Sequence, residues 1–219
     1  MHQESIDAIS EDDYVIDNLI DSESDNRFGI TLLIRLSEPN QIKIQQVLSE
    51  LKAIEPDQYY YPNSDLHVTV LSIISCYQGF DLSDIDIDEY IGLLTKELED
   101  IRKFTIEIQG IALSKSGVLI TGYPDTTLNE LRDKLRSAFK QSDLQHSIDS
   151  RYTIKTAHST VMRFRKEIQN KEKLISEVDK NNLIHFGTLE VNSLELVFND
   201  WYQRKSRTKM LKVIKLKAD

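Results

Sequence analysis

The sequence predicts an α+β fold. Amphipathic helical stretches alternate with short strands rich in β-branched residues. No glycine-rich phosphate turn follows any strand, which argues against a doubly wound parallel sheet. Two of the strands carry one pattern, His67-Val68-Thr69 and His158-Ser159-Thr160, placed roughly ninety residues apart.

The elements follow in order. After an acidic opening, in which a short helix is expected near Asp12 to Ile20, Phe28 to Leu36 reads as a strand. Ser37, Glu38 and Pro39 then lead into a helix over about Asn40 to Ile54, with Ile44, Val47, Leu48, Leu51 and Ile54 broadly on one stripe and Pro56 closing it. An aromatic loop, Tyr59-Tyr60-Tyr61-Pro62-Asn63, precedes the first motif strand, Leu66 to Ile74. A second helix is expected from Asp88 to Arg102, then strands Phe104 to Leu113 and Gly117 to Thr121 paired around Lys115-Ser116-Gly117. Asp125 opens a helix to about Gln141, with Leu128, Leu131, Leu135 and Phe139 spaced for one face. The second motif strand runs from His158 to Phe164, a helix from Lys166 to Asn181, and two closing strands cover Phe186 to Phe198 and Thr208 to Leu216.

Composition bounds the class. A chain of 219 residues can bury a substantial core, and its seven Gly and four Pro form no linker. It is divided into an acidic N-terminal segment, 1–25, and a single domain, 26–219. Cys76 is the one cysteine, so no intramolecular disulfide forms. The N-terminus has acids where a signal peptide has basic residues, and no apolar run approaches twenty residues. These features lead to the expectation of a cytoplasmic monomer without a membrane partner. The net charge of −9 is concentrated in residues 1–25, which hold nine acids and no Lys or Arg. Residues 201–219 instead carry seven bases against Asp219. Solvated surface is the simplest reading of both ends, with coverage of the basic end by the acidic one as the alternative.

The His-x-Thr pair carries the chemistry. Side chains alternate along a strand, so His67 and Thr69 project to one side and Val68 and Val70 to the other; His158 and Thr160 repeat the arrangement. A lone His on a strand is usually structural. Here, however, two of five His have Thr two places on, and with 12 Thr in the chain that coincidence has a chance of about three per cent. Two imidazoles and two hydroxyls in one cleft suffice for acid/base chemistry on a phosphodiester without a metal. Neither HExxH-like spacing nor a Gly-x-Ser-x-Gly elbow is present, which sets aside zinc and serine hydrolase chemistry.

LHVTVLSI at 66–73 and HSTVMRF at 158–164 resemble the two motifs of the 2H phosphoesterase superfamily, the LigT-like or 2′-5′ RNA ligase proteins. The resemblance covers roughly residues 27–217. It implies a two-lobed, pseudo-symmetric fold with antiparallel sheets flanking a central cleft and helices outside. It also implies a metal-independent phosphodiesterase without cofactor, acting on RNA or nucleotides that bear a 2′,3′-cyclic phosphate or a 2′-5′ linkage. The implied catalytic residues are His67, Thr69, His158 and Thr160, with His67 as proton donor and His158 as acceptor; the residues alone do not order the two. The rival is a non-catalytic nucleotide- or RNA-binding module of the same fold. Arg163, five residues after His158, matches an Arg of many such proteins, but its odd offset points it away from His158 on a regular strand. Tyr59 to Tyr61 and Trp201-Tyr202 are candidates to stack nucleobases, with packing as the alternative. Ile73-Ile74-Ser75 replaces the Phe-Leu-Gly common after the first motif in the RNA-processing bacterial branch, which leaves the substrate open.

Overall fold

The structure is a computed structural model that describes residues 2–218. Met1 and Asp219, the outermost residues of the acidic and basic ends, lie outside the described residues. The elements are α1 (His2–Ser10), β1 (Arg27–Arg35), α2 (Glu38–Ile54), β2 (Tyr59–Tyr60), β3 (His67–Gln78), α3 (Ile87–Leu98), β4 (Phe104–Ser114), β5 (Gly117–Pro124), α4 (Thr127–Lys140), β6 (Ala157–Arg163), α5 (Lys171–Lys180), β7 (His185–Val191), β8 (Ser193–Asp200) and β9 (Lys209–Lys215). Single 3-10 turns lie at Asn63–Asp65, Leu82–Asp84 and Lys205–Arg207.

These strands form two antiparallel sheets, one in the order β3-β1-β8-β9 and the other β2-β6-β5-β4-β7. One motif strand belongs to each. They meet where the His67 amide donates to Ser159 Oγ at 3.3 Å. The expected α+β architecture of antiparallel sheets with helices is therefore present. One hydrophobic cluster joins both sheets, from Ile30, Leu32 and Val70 to Ile106, Val118 and Val161.

Helix α2 starts two residues earlier than the periodicity predicts. Pro39 sits in its first turn, where a missing N–H costs nothing, and Ser37 Oγ reaches Asn40 Oδ1. Asn40 Nδ2 in turn donates to Phe186 O at 3.2 Å, tying the helix start to β7. Helix α4 packs against α3 and lies against β3.

Three expectations are corrected. The N-terminal helix covers His2–Ser10, not Asp12 to Ile20. Ala8 and Ile9 are buried there, Asp12 takes a left-handed φ of 63°, and the next residues bond elsewhere: Val15 N–H to Lys115 O and Asp17 N–H to Phe164 O, both 2.7 Å. The expected strand over Phe186 to Phe198 is two strands, β7 and β8, which belong to different sheets. Apolar alternation on both sides of Asn192 conceals that crossing. Helix α5 begins five residues later than Lys166, because Glu55 Oε1 and Oε2 hold the Asn170 and Gln169 amides at 2.5 and 3.2 Å.

Candidate active site

A cleft between the two motif strands has a cavity volume of about 200 Å³. His67, Thr69, His158 and Thr160 all line it, so the four residues that the motifs singled out share one space. Val68 and Val70, the intervening residues, are buried in the core behind β3, as are Ser159 and Val161 behind β6.

Bulges extend both strands' cleft-facing sets beyond the motifs. On β3, Thr69 faces Leu33 while Leu71 faces Leu32, so the extra residue turns Ser72 back toward the cleft. On β6, Thr160 faces Leu119 while Met162 faces Val118, which does the same for Arg163. The odd offset that points Arg163 away on a regular strand is thereby reversed. Ser72 and Arg163 occupy equivalent positions, each five residues after its histidine.

His67 Nδ1 lies 2.7 Å from Asp65 O. A carbonyl only accepts, so Nδ1 carries the proton and Nε2 is left for the cleft. Burial pushes the His67 pKa down to about 4; the Asp65 carbonyl opposes that shift, and the charges of Arg35 and Arg163 add to it. His158 Nδ1 lies 3.0 Å from Thr156 Oγ1. Its pKa is also lowered, by burial first and then by the Arg132 charge, with the Thr156 backbone opposing. Both imidazoles therefore favour the neutral form at neutral pH, and a bound anion shifts both upward.

Two arginines complete the surroundings. Arg163 Nε donates to Tyr61 Oη at 2.8 Å, and Arg163 Nη1 lies 3.9 Å from Asp17 of the acidic segment. Arg132, missed in the sequence, is fully buried on α4. Its Nε donates to Val70 O at 3.0 Å, and its Nη2 to Thr69 O at 2.8 Å and Thr156 O at 3.1 Å. One guanidinium thus clamps the backbones of both motif segments. The available signal was a charged residue within the apolar stripe Leu128, Leu131, Leu135 and Phe139.

Of the aromatics considered for stacking, Tyr61, Trp201 and Tyr202 line the cleft, each of them already in contact with an arginine. Tyr61 and Tyr202 are buried, Tyr60 Oη donates to Glu55 O at 2.9 Å, and Trp201 carries the Arg27 and Arg151 guanidiniums 4.7 and 4.4 Å from its ring centroid. The exposed aromatic on the cleft wall is Tyr152, on the loop before β6. Arg151 Nη2 anchors that loop through Cys76 O at 2.7 Å. The acidic segment spreads its ion pairs: Asp12 to Lys171, Asp13 to Lys115, Asp21 to Arg165 and Asp25 to Arg27. From the basic end, Arg204 and Arg207 donate to its backbone, at Ile20 O and Asp25 O, and Tyr202 Oη donates to Asp17 Oδ1 at 2.8 Å. Among the described residues no cluster of three or more His, Cys, Asp or Glu is arranged to hold a metal ion, and no helix is long and apolar enough to cross a membrane.

The fold has solved counterparts. TT0787 of Thermus thermophilus aligns with a TM-score of 0.60 at 12% identity, over 87% of this chain and 99% of that one. Escherichia coli LigT complexed with 3′-AMP aligns with a TM-score of 0.54 at 16% identity, over 87% and 98%. ATU0111 from Agrobacterium tumefaciens, described as a conserved protein of unknown function, gives 0.58 at 17% identity over 95% and 97%. No curated protein matches the sequence. The sequence profile of the 2′-5′ RNA ligase superfamily matches residues 39–200, a span that contains both His-x-Thr strands and the bulge that returns Arg163 to the cleft, and by that match the chain belongs to this superfamily.

Proposed function

We propose that the chain is a metal-independent phosphodiesterase that opens 2′,3′-cyclic phosphate ends of RNA or nucleotides, or cleaves 2′-5′ linkages, by two-histidine acid/base catalysis. The observation that carries the reading is the convergence of His67, Thr69, His158, Thr160 and Arg163 on one cleft. LigT, a neighbour in fold, has been solved with 3′-AMP, whose phosphate sits on one of the two ribose oxygens that a cyclic phosphate joins. On this reading residues 26–219 act as one bilobal domain, and residues 1–25 brace it through Asp17.

Water attacks phosphorus in line with the departing ribose oxygen. His158 Nε2 takes the proton of the water, the phosphorus–oxygen bond to ribose breaks, and His67 Nε2 delivers its proton to the leaving oxygen. His67 suits the donor role because the Asp65 carbonyl, which accepts from Nδ1, stabilises the imidazolium. Thr69 and Thr160 hydroxyls and the Arg163 guanidinium bind the non-bridging oxygens, where negative charge accumulates. Solvent exchange then returns the proton from His158 to His67.

Nucleoside 2′,3′-cyclic monophosphates and 2′-5′ linked diadenylate, assayed in EDTA, test the reading. Wild type is expected to turn over at least one of them, and His67→Ala/His158→Ala to lose at least about 10²-fold in rate. Turnover that vanishes in EDTA, or survives in the double variant, sinks the mechanism. Binding without turnover by wild type identifies the binding module instead.

A further inference from the structure

We propose that a pocket beside the cleft is a second nucleotide subsite, which binds the next phosphate along the chain and makes an oligonucleotide the preferred substrate. The proposal rests on the phosphodiesterase reading above for the direction of the chain, and on separate geometry for the site itself. Arg35, Asn63, Ser64, Lys205, Thr208 and Met210 line the pocket, with a cavity volume of about 260 Å³.

Strand register links the pocket to the cleft. Residues directly opposite on antiparallel strands share a face of the sheet. Arg35 is opposite His67; Leu33 is opposite both Thr69 and Glu195; and Thr31 is opposite both Ser72 and Val197, which is opposite Met210. The face that presents His67 and Thr69 therefore continues through Arg35 and Glu195 to Met210. Arg35 and Glu195 are one and two strand spacings from β3, about 5–10 Å, which is the reach from one phosphate to the next along a nucleotide chain. The turn Asn63–Asp65 stands between the two spaces. Its Asp65 carbonyl holds His67 on one side, and its Ser64 carbonyl accepts from Arg35 Nη1 at 3.3 Å on the other.

The residues that line the pocket carry two positive charges, Arg35 and Lys205, against one negative. Glu195 is its one carboxylate, and it is taken up by Arg35 Nε at 3.0 Å. Asp65 beneath is buried and accepts the Lys205 amide at 3.0 Å. That bond fixes the backbone of Lys205 while its exposed ammonium makes no ion pair among the described residues. Met210, 45% exposed, adds an apolar surface on the same face. The cleft itself, at about 200 Å³, is smaller than the roughly 300–1,000 Å³ that encloses a whole small-molecule ligand. It holds the reacting phosphate and ribose, and the rest of a chain must lie outside it.

Ribonucleotides ending in a stable 3′-phosphate probe the subsite without turnover. Calorimetric titration of the mono- and dinucleotide across a salt series is expected to give about tenfold tighter binding of the dinucleotide. Its slope of log affinity against log salt should be steeper by about 0.7, the increment of one added phosphate contact on a single strand. Lys205→Glu abolishes both increments, and Lys209→Glu, an exposed lysine outside the pocket, retains them. Equal affinity of the two ligands for wild type, or increments that survive Lys205→Glu, overturn the subsite. Cyclic phosphate turnover, measured separately, decides the catalytic reading: the increments present without turnover leave the subsite standing and the mechanism refuted.

Discussion

Strand β3 sets His67 against a backbone carbonyl, and strand β6 sets His158 against a threonine hydroxyl. Five residues on, both strands are bulged back toward the cleft, but β3 then offers Ser72 and β6 offers Arg163. The two halves share a geometry and differ in chemistry. A carbonyl fixes one tautomer and favours the charged ring; a hydroxyl both donates and accepts, and so commits to neither. On the mechanism proposed above, the first half supplies a proton and the second receives one beside the fixed positive charge of Arg163. The buried Arg132 belongs to both, because it donates to Thr69 O of one and Thr156 O of the other.

Removing that shared clamp has the largest expected effect. Arg132→Met keeps much of the side-chain volume but leaves the Val70, Thr69 and Thr156 carbonyls without this donor. Each buried acceptor left unsatisfied costs about 1–3 kcal/mol, so the loss is on the order of 4 kcal/mol, and thermal unfolding should fall by roughly 10 °C for a chain of this size. The two motifs lose their common anchor at the same time. A variant that unfolds within 2–3 °C of wild type, compared by calorimetry at one protein concentration, would show that the halves hold their relation without Arg132.

The +5 positions come next in size. On the proposed mechanism Arg163→Ala removes a charged donor to the non-bridging oxygens, worth about 1.5–3 kcal/mol, and kcat/KM should fall about 10–100-fold. Ser72→Ala removes a neutral hydroxyl, worth about 1 kcal/mol, and should cost a few-fold. Arg163→Lys separates charge from geometry, since a lysine keeps the charge but not the fork that also reaches Tyr61. Equal losses from Arg163→Ala and Ser72→Ala, read from initial rates on one cyclic phosphate, contradict the division between the two halves.

The contrast was only half legible in the sequence. His67, Thr69, His158 and Thr160 could be found because the period of two holds through each motif. It fails just beyond them, and nothing in Val70-Leu71 or Val161-Met162 marks a bulge, since neither pair contains a glycine. Ser72 was therefore unseen and the facing of Arg163 undecided. Arg132 hid within a helical stripe that was read only for its leucines. The stripe of α2 was legible because its apolar spacing and Pro39 agree on one helix. The acidic opening misled because local helical spacing near Asp12 to Ile20 lost to backbone bonds with Lys115 and Phe164, partners remote in the chain.

The Thr156 contact reads the proton order most directly. If His158 Nε2 is the base, Nδ1 must carry the proton and donate to Thr156 Oγ1, and that contact favours the charged ring. Thr156→Val removes the acceptor with little change of shape, at a cost of about 1 kcal/mol, or roughly fivefold in rate. The sign of the pH effect then follows. Both imidazole pKa values are already lowered, that of His67 to about 4. The kcat/KM profile, which reports the free enzyme, should therefore be bell-shaped with its optimum on the acid side of 6.5, the unperturbed histidine value. The kcat profile should lie at higher pH, because the bound phosphate anion raises both values. Losing a contact that favours the charged ring lowers the His158 pKa further, so Thr156→Val should move one limb of the kcat/KM profile to lower pH and leave the other in place. A shift to higher pH means that the hydroxyl donates to Nδ1. His158 would then present Nε2–H to the cleft, and the roles of the two histidines would be reversed.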